Sequence, residues 1–405
     1  MEPPINADRK DTHYRRSSAL ICGPKWLKSM ATAPYRSWVE ISRRRIAENY
    51  RAVRAAVGPE VETVCVVKAD AYGHGAVEVS RTLMAEGARW LGVSSAEEGV
   101  ALREAGIAAR ILVMADCQPF ARAAVLECNL TPVILSLDDL RAMESFAAGR
   151  GVRMAYHLKV DTGMGRLGAL AGAREIAAAV RAAGHLDLEG LMSHLASSAD
   201  YTKAQTEQQN RTFADLGRAL AEDGIAPPFR HLSSTNAIAY GRRDAWYNMV
   251  RPGHLLYGYF SPARGPAPAR LLDVKPAITW KASVLAVKDV PAGALIGYGG
   301  MFRAPHPIRI GVLAVGYADG LSHRLSNRGH AIAAGRLVPI LGAVSMDLTT
   351  IDLTGCPSIG PGDAVTLLGS EGEASIDAQQ MARTAGTISY DILCGIRTRV
   401  TRVYV

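Results

Sequence analysis

The sequence has few of the features that mark membrane, disulfide-rich or base-stacking proteins. Its 405 residues contain no apolar run that approaches the roughly 18 residues a membrane-spanning helix needs. Aromatic residues make up only 6% of the chain, which argues against extended surfaces for stacking on bases. Six cysteines are scattered without a Cys-x-x-Cys pair or zinc-ligand spacing to histidine. We therefore expect reduced thiols, a cytoplasmic location, no metal and no membrane partner.

The net charge of +8 is unevenly distributed along the chain. Residues 1–36 contain seven basic and three acidic residues, so half of the excess lies in this leader. Its apolar patch around Leu20 is too short for a signal-peptide core. We interpret residues 1–36 as a disordered extension, with Met30 as a second candidate start, in preference to a targeting or nucleic-acid tail. The net charge then gives no reason to expect a nucleic-acid partner.

After residue 42, helical stretches alternate with short runs of valine, isoleucine and leucine. Apolar side chains at helical spacing predict a helix over Arg43–Val57, and further helices are predicted at 76–86, 96–104, 171–183 and 203–222. The β-type runs lie at 61–69, 90–94, 110–115, 131–135, 153–160, 186–194, 229–234 and 248–251. Eight such runs favour a closed (β/α)8 barrel over residues 37–270. A doubly wound open sheet is the alternative, although the first run is not followed by G-x-G-x-x-G.

The chain beyond about residue 275 has a different pattern. Strands are predicted at 278–287, 307–315, 331–340 and 364–368, with Gly, Pro and Asp turns between them. One late helix is predicted near residues 377–384. We therefore expect a mainly β C-terminal domain over residues 271–405, with the boundary in the stretch 261–276, which is rich in Pro, Ala and Arg.

A lysine at the end of the first β-type run is the most specific local feature. Four apolar residues lead into Lys68, and a turn containing Tyr72, Gly73 and Gly75 opens the next helix. Catalytic groups of barrels lie at the C-terminal ends of strands. Apolar walls lower the pKa of a lysine amine, as Schiff-base chemistry requires. A solvent-facing lysine is the alternative, but the two glycines permit close backbone approach to a ligand.

This segment resembles the cofactor-lysine motif of the alanine racemases, a pyridoxal phosphate-dependent family of fold-type III. Four later segments agree in order with that family: residues 157–168, 247–253, 296–300 and 344–347. Five matches at family-like separations are far more specific than any one of them. The resemblance covers roughly residues 37–405. It implies a homodimer with shared active sites that interconverts L- and D-alanine with pyridoxal 5'-phosphate and supplies D-alanine for peptidoglycan.

The resemblance also implies a pair of proton-transfer groups. Lys68 carries the cofactor and then acts on one face of the substrate Cα, and Tyr298 of the partner subunit acts on the other. A tyrosine of ordinary pKa is a poor base at neutral pH, so a cationic neighbourhood must lower it. In the resembling enzymes His194 and Arg251 supply that neighbourhood.

Cofactor and substrate contacts follow from the same resemblance. Arg251, which cannot accept a proton, faces the pyridine nitrogen and so disfavours side reactions such as transamination. The phosphate is expected at Tyr72, at the Thr235 hydroxyl and at backbone donors near Gly253 and His254. Among the remaining matched residues, Arg166 contacts the substrate carboxylate, Met346 offers a backbone N–H to it, Tyr317 lies near the entrance, and Lys159 is a carbamylation position.

Two positions depart from the family pattern. Ala343 stands where many relatives carry an arginine, and Thr398 stands where many carry an entrance tyrosine. Smaller residues at a gate predict relaxed specificity, with serine or a broader range of amino acids as the alternative to alanine. Fold-type III decarboxylases are a rival class, but they typically pair the pyridine nitrogen with a carboxylate. A small cofactor-supply barrel protein is a second rival, and it lacks the β domain.

Overall fold

The fold is given by a computed structural model that describes residues 35–116 and 118–405. The predicted leader therefore lies almost entirely outside the described residues. Within the described ranges, no helix is long and apolar enough to cross a membrane.

The first domain alternates strands and helices as the sequence predicts. Its elements, in chain order, are β1 (Ser37–Ile41), α1 (Arg43–Val57), β2 (Glu62–Val66), α2 (Lys68–Tyr72), α3 (Ala76–Ala85), β3 (Trp90–Val93), α4 (Ala96–Glu104), β4 (Arg110–Val113), α5 (Arg122–Glu127), β5 (Thr131–Ile134), α6 (Leu137–Ala148), β6 (Met154–Lys159), α7 (Ala173–Ala182), β7 (Leu186–Met192), α8 (Gln205–Glu222), β8 (Phe229–His231), α9 (Thr235–Ala239) and β9 (Met249–Val250).

Strands β2 to β9 form a parallel barrel. They are ordered β8-β7-β6-β5-β4-β3-β2-β9, and a parallel bridge between Ser234 and Arg251 joins the two ends of the sheet. The barrel interior is filled by side chains from these strands, among them Val64, Leu112 and Met249, which are fully buried. The closed barrel is confirmed and the open-sheet alternative is wrong, because β8 and β9 meet instead of forming two free edges.

The helices pack outside the barrel through the apolar faces that the periodicity predicts. In α1 the side chains of Ile46, Tyr50 and Val53 are buried. Ser42 begins this helix, and its hydroxyl accepts a hydrogen bond from the backbone N–H of Arg45. Such a cap satisfies one of the backbone donors that an isolated helix start leaves unpaired.

Strand β1 does not belong to the barrel. It pairs antiparallel with the first strand of the second domain and parallel with the last strand of the chain. The predicted barrel start at residue 37 is therefore too early by the length of β1. The sequence pattern of these five residues is the same as that of a barrel strand. Only the pairing of β1 with distant strands assigns it to the second domain.

The second domain is mainly β, as predicted. It contains β10 (Ile278–Val290), β11 (Leu295–Ile296), β12 (Phe302–Arg303), β13 (Ile308–Leu313), β14 (His330–Ala333), β15 (Arg336–Leu341), β16 (Thr349–Asp352), β17 (Ala364–Glu371), β18 (Ala374–Ile376), α10 (Ala378–Ala385), α11 (Ser389–Gly395) and β19 (Thr401–Tyr404). The sheet order is β18-β17-β14-β15-β16-β13-β10-β1-β19, and an added pairing of β17 with β10 closes six of these strands into a ring.

Two sequence predictions in this domain were wrong. The stretch 331–340 is not one strand but the hairpin β14–β15, which turns at Ala334 and Gly335, both with positive φ. Alanine rarely adopts the left-handed region, so Ala334 does not mark a turn, and Gly335 alone was too weak a signal to divide the run. The second late helix, α11, was missed because it is only seven residues long.

Candidate active site

Lys68 begins a left-handed backbone turn. Residues Ala69, Asp70, Ala71 and Tyr72 all have φ between 51° and 54°, which is the left-handed helical region. This conformation costs L-residues roughly 1–2 kcal/mol each. Four consecutive non-glycine residues in the left-handed region are stable only if contacts with the surrounding structure stabilise them. Such strained segments cluster at functional sites.

Carboxylates and close packing hold this turn. Glu98 accepts hydrogen bonds from the N–H of Ala69 at 2.6 Å and from the N–H of Ser94 at 2.7 Å. Asp70 accepts from the N–H of Ala76 at 2.7 Å. A Cβ on Gly73 would lie 2.3 Å from the Leu393 carbonyl oxygen. The Gly73 backbone thus presses against the β domain, not against a ligand as the sequence suggested.

The two glycines of the turn therefore allow the barrel backbone to pack closely against the second domain. A Cβ on Gly75 would lie 1.8 Å from the Tyr404 hydroxyl. His74 between them is fully buried, and burial lowers its pKa to about 4, so it is neutral at pH 7. Its Nδ1 lies 3.0 Å from the carbonyl oxygens of both Ala71 and Tyr72. The neutral ring with a proton on Nδ1 therefore donates to the strained turn.

The hydroxyl groups of Tyr72 and Thr235 and the backbone N–H of Gly253 lie close together beside the turn, and we call this group the hydroxyl and amide corner. Thr235, at the start of α9, accepts from the Gly253 N–H at 3.2 Å. A Cβ on Gly253 would lie 2.7 Å from the Tyr72 hydroxyl, so this hydroxyl occupies the space that glycine leaves. Gly253 precedes a 3-10 helix, His254–Tyr257. Helix starts leave N–H groups without intrahelical partners and favour anions.

The His254 side chain turns away from this corner. Its Nε2 lies 2.9 Å from the Ser389 hydroxyl, and its ring stacks on Tyr390 with centroids 3.8 Å apart. Only the backbone of His254 therefore faces the predicted anion site. Ser389 and Tyr390 belong to α11, the helix that the sequence analysis missed, and no local pattern in the sequence marks them.

Arg251 follows β9 at the barrel mouth and is 3% exposed. Its NH1 donates to Nδ1 and the carbonyl of His231, at 2.9 and 3.0 Å. Its NH2 donates to the Ser193 carbonyl at 2.7 Å and lies 3.1 Å from Nδ1 of His194. Among the described residues Nε has no partner, so this donor remains for a ligand. Burial lowers the pKa of Arg251 to about 9, which leaves it charged at neutral pH.

The mouth is strongly cationic. Burial first, and then the charges of Arg251 and Lys159, lower the pKa of His194 to about 3, so this imidazole is neutral. Burial and the charges of Arg251 and Arg166 lower the pKa of Lys159 to about 8. The Lys68 charge contributes to both shifts, so Lys68 belongs to the same cluster. Such a cluster suits an anionic ligand.

Arg166 lies on an exposed loop that Asp161 organises. The Asp161 carboxylate accepts hydrogen bonds from the backbone N–H groups of Gly163, Met164, Gly165 and Arg166, at 2.8 to 3.2 Å. Partial burial opposes ionisation of Asp161, but these donors outweigh it and lower its pKa. The loop therefore presents Arg166 beside the mouth on a fixed backbone.

Tyr298, Tyr317 and Met346 all lie on the β domain. Tyr298 is 78% exposed, in the turn between β11 and β12. The Tyr317 N–H donates to the Ser345 carbonyl at 2.9 Å, and the Ala318 N–H donates to the Met346 carbonyl at 3.0 Å. Met346 is 54% exposed. A tyrosine as exposed as Tyr298 does not pack against Lys68 of its own chain.

The barrel, its mouth lysine and the appended β domain define a two-domain enzyme class. Residues 41–262 match the sequence model "Alanine racemase, N-terminal domain", and residues 277–404 match "Alanine racemase, C-terminal domain". The chain therefore belongs to the alanine racemase family, and it is an isomerase of that family. The resemblance stated from the sequence motifs is confirmed.

Individual relatives agree along nearly the whole chain. An alanine racemase of Halothermothrix orenii is 38% identical over 371 residues, which cover 91% of this chain and 96% of the relative. An alanine racemase of Synechocystis is 37% identical and covers 91% of this chain and 99% of the relative.

Solved structures agree as well. The crystal structure of alanine racemase from Streptomyces lavendulae has a TM-score of 0.85 and 31% identity, covering 92% of this chain and 98% of that one. The alanine racemase of Bartonella henselae, with covalently bound pyridoxal phosphate, has a TM-score of 0.81 and 26% identity, covering 92% of this chain and all of that one.

Proposed function

We propose that this enzyme interconverts L- and D-alanine with pyridoxal 5'-phosphate, using proton-transfer groups on both faces of the substrate Cα. The observation that carries the proposal is the barrel mouth itself. There, Lys68 shares a cationic cluster with Arg251 and Arg166, next to a hydroxyl and amide corner. A cationic site with a separate anion corner fits a cofactor with a phosphate and a substrate with a carboxylate.

The residues present fit the cofactor. Lys68 would hold it covalently, Tyr72, Thr235 and the backbone after Gly253 would hold its phosphate, and the free Nε of Arg251 would face its ring nitrogen. When bound, the cofactor would accept the electron pair left at Cα. Arg251 has donors only and keeps its protons, so it would donate a hydrogen bond to the ring nitrogen and leave that nitrogen unprotonated. That pairing favours return of the proton to Cα over transamination.

Each protein group would have a separate role in proton transfer or substrate binding. The Lys68 amine would take or return the Cα proton on one face. Tyr298 of the partner subunit would act on the other face, because its exposure in one chain leaves it available to a second. Arg166 and the backbone N–H of Met346 of the partner subunit would orient the carboxylate, with Tyr317 near the entrance. Arg251 would supply the positive potential that makes the tyrosine a useful base. His194, which the resemblance assigns to the same task, is neutral and adds no charge.

A homodimer with shared sites is part of this proposal. The β domain exposes several large apolar side chains, including Leu295, Tyr298, Met301 and Met346. Exposed apolar patches of this kind mark interaction sites. We also place the enzyme in the cytoplasm, where D-alanine would serve peptidoglycan synthesis. The described cysteines are free, which suits a reducing compartment.

Lys159 is proposed to carry a carbamate. The residue is 6% exposed and the pKa of its amine is lowered to about 8, so an appreciable fraction of the amine is unprotonated at pH 7 to 8. The amine nitrogen would add CO2 and lose a proton, and the resulting anion would brace Arg166. Native mass spectrometry of enzyme kept under CO2 should show one added CO2 per chain, which is absent in Lys159→Ala. An unmodified mass in both would contradict the carbamate.

A broader substrate range is the second candidate. Ala343 is only half-buried and Thr398 is exposed, so neither supplies a bulky gate. Comparing kcat/KM for alanine, serine and lysine tests this candidate. A strict preference for alanine would eliminate it.

One pair of assays tests the central proposal. Purified enzyme should invert L-alanine to D-alanine without releasing CO2, and release of CO2 would favour a decarboxylase. An absorbance band near the visible edge should accompany the bound cofactor and be lost in Lys68→Ala. Retention of the band in that variant would remove Lys68 from its proposed role.

A further inference from the structure

A chain of polar side chains runs through the barrel interior beneath Arg251. His231 Nε2 lies 2.8 Å from His157 Nδ1, and both rings are fully buried. His157 Nε2 lies 3.5 Å from a carboxylate oxygen of Glu189. Arg110 donates to both Glu189 oxygens, at 2.6 and 2.7 Å. Since Arg110 begins β4 and Glu189 lies on β7, this pair spans the barrel interior near its N-terminal end.

The two ends of this chain, Arg251 and Glu189, favour the same direction for its hydrogen bonds. A guanidinium has no acceptor, so His231 Nδ1 must accept from NH1 and its proton must lie on Nε2. That proton donates to His157 Nδ1, which leaves the His157 proton on Nε2. This N–H makes no hydrogen bond and lies 3.5 Å from a Glu189 oxygen, so the carboxylate acts on it through its charge. Burial lowers the pKa of His157, and both rings are neutral. The chain therefore runs in one direction from a buried cation to an anion.

The arrangement is more than a way to fill space. The rings of Trp90 and Phe229 lie 5.5 and 6.2 Å from the His157 ring, and both belong to the apolar cluster that fills the barrel. Apolar residues would fill this space without buried polar groups. A Cβ on Gly190 would lie 2.4 Å from His157 Nδ1, so even the neighbouring backbone leaves room for this ring. Aligned hydrogen bonds strengthen one another in a low-dielectric interior.

We propose that Glu189, through His157 and His231, is a positioning residue for Arg251. Its negative charge holds both imidazoles in the Nε2–H form and fixes NH1, so that Nε stays aimed at the mouth. The inference rests on the proposed role of Arg251 at the cofactor ring nitrogen. A carboxylate at the N-terminal end of the barrel would thus favour return of the proton to the substrate Cα, over transamination, at the C-terminal end.

The test compares Glu189→Gln with a matched pair elsewhere. Glu144→Gln removes the same charge from a second His–Glu contact, His185 Nδ1 to Glu144 at 2.8 Å, which does not touch Arg251. Glu189→Asp keeps the charge and is the conservative variant. The first measurement is nitrogen-15 NMR of the histidine rings in the purified enzyme. The second is the number of transamination events per racemisation turnover.

We expect Nε2–H signals for His157 and His231 in the wild type and in Glu144→Gln. In Glu189→Gln we expect mixed ring forms and a transamination ratio raised by about tenfold, by analogy with the roughly 10–100-fold effects of residues that orient a metal-binding histidine. Glu189→Asp should restore the wild-type ratio. An unchanged ratio in Glu189→Gln, or an equal rise in Glu144→Gln, overturns the proposal. Nδ1–H signals in the wild type also overturn it. If the wild type does not racemise alanine, the proposed function fails, while the ring signals still decide the hydrogen-bond direction.

Discussion

At the scale of single residues, Gly253 shows how a missing Cβ shapes a site. Its space is occupied by the Tyr72 hydroxyl, and its N–H donates to Thr235. The glycine's φ is −125°, so the left-handed region is not what requires it. The sequence motif identified Gly253 by position only, and the contact with Tyr72 supplies the reason.

Gly253→Ala should weaken cofactor binding. The added methyl would displace the Tyr72 hydroxyl from the hydroxyl and amide corner. Losing one hydrogen bond to a charged group costs about 1.5–3 kcal/mol, or roughly 10–150-fold in Kd. Equilibrium titration of the cofactor-free enzyme measures this. Gly184→Ala is the control, because a Cβ there meets nothing within 4 Å. Equal affinity in both variants would contradict the role of the Tyr72 hydroxyl.

At the scale of elements, the turn of Ala69–Tyr72 depends on Glu98. This one carboxylate joins the segments after β2 and β3 by accepting from the N–H groups of Ala69 and Ser94. The sequence predicts α4 correctly but gives no reason to assign its third residue to the lysine turn. The left-handed backbone is equally invisible in the sequence, since alanine and tyrosine rarely adopt it.

Glu98→Gln should destabilise the fold by about 1–3 kcal/mol, because the amide can accept from only one of the two N–H groups and leaves the other unpaired. Urea unfolding measures the loss. Glu97→Gln, on the exposed side of the same helix, is the control and should change the free energy of unfolding little. A Glu98→Gln variant as stable as this control would show that packing alone holds the turn.

At the scale of the whole molecule, the proposed site residues lie on two different domains of one chain. Lys68 and its cationic neighbours belong to the barrel, while Tyr298 stands exposed on the β domain. Mixing Lys68→Ala and Tyr298→Phe subunits tests whether two chains share a site. Random exchange makes half of the dimers mixed, and each mixed dimer has one intact site, so about a quarter of wild-type activity should return. No recovery would mean that both groups act within one chain.

Buried histidines should make the whole fold sensitive to acid. Five described histidines have lowered pKa values because burial disfavours their charged form: His74, His157, His194, His231 and His254. In the unfolded chain these histidine rings bind protons near pH 6.5, whereas in the folded chain they bind them only at lower pH. Stability therefore falls as the pH drops from about 6.5 toward 4, by about 1.4 kcal/mol per pH unit for each proton.

Urea unfolding at several pH values between 7 and 4 measures that slope. His74→Phe should lower it by about one proton. His306→Gln is the control, because this side chain is exposed and its replacement leaves the five buried histidines in place. A wild-type stability that is independent of pH over this range would contradict the prediction.

The sequence by itself determined the barrel, the mainly β second domain and the family, because alternating apolar runs and five local motifs are written in neighbouring residues. It also identified Lys68, Arg251 and Gly253 as candidates. Only the tertiary structure decided that β1 joins the second domain, that Gly73 faces Leu393, and that His231 and His157 connect Arg251 to Glu189. These contacts join residues far apart in the chain, and burial sets their protonation, so no local pattern could encode them.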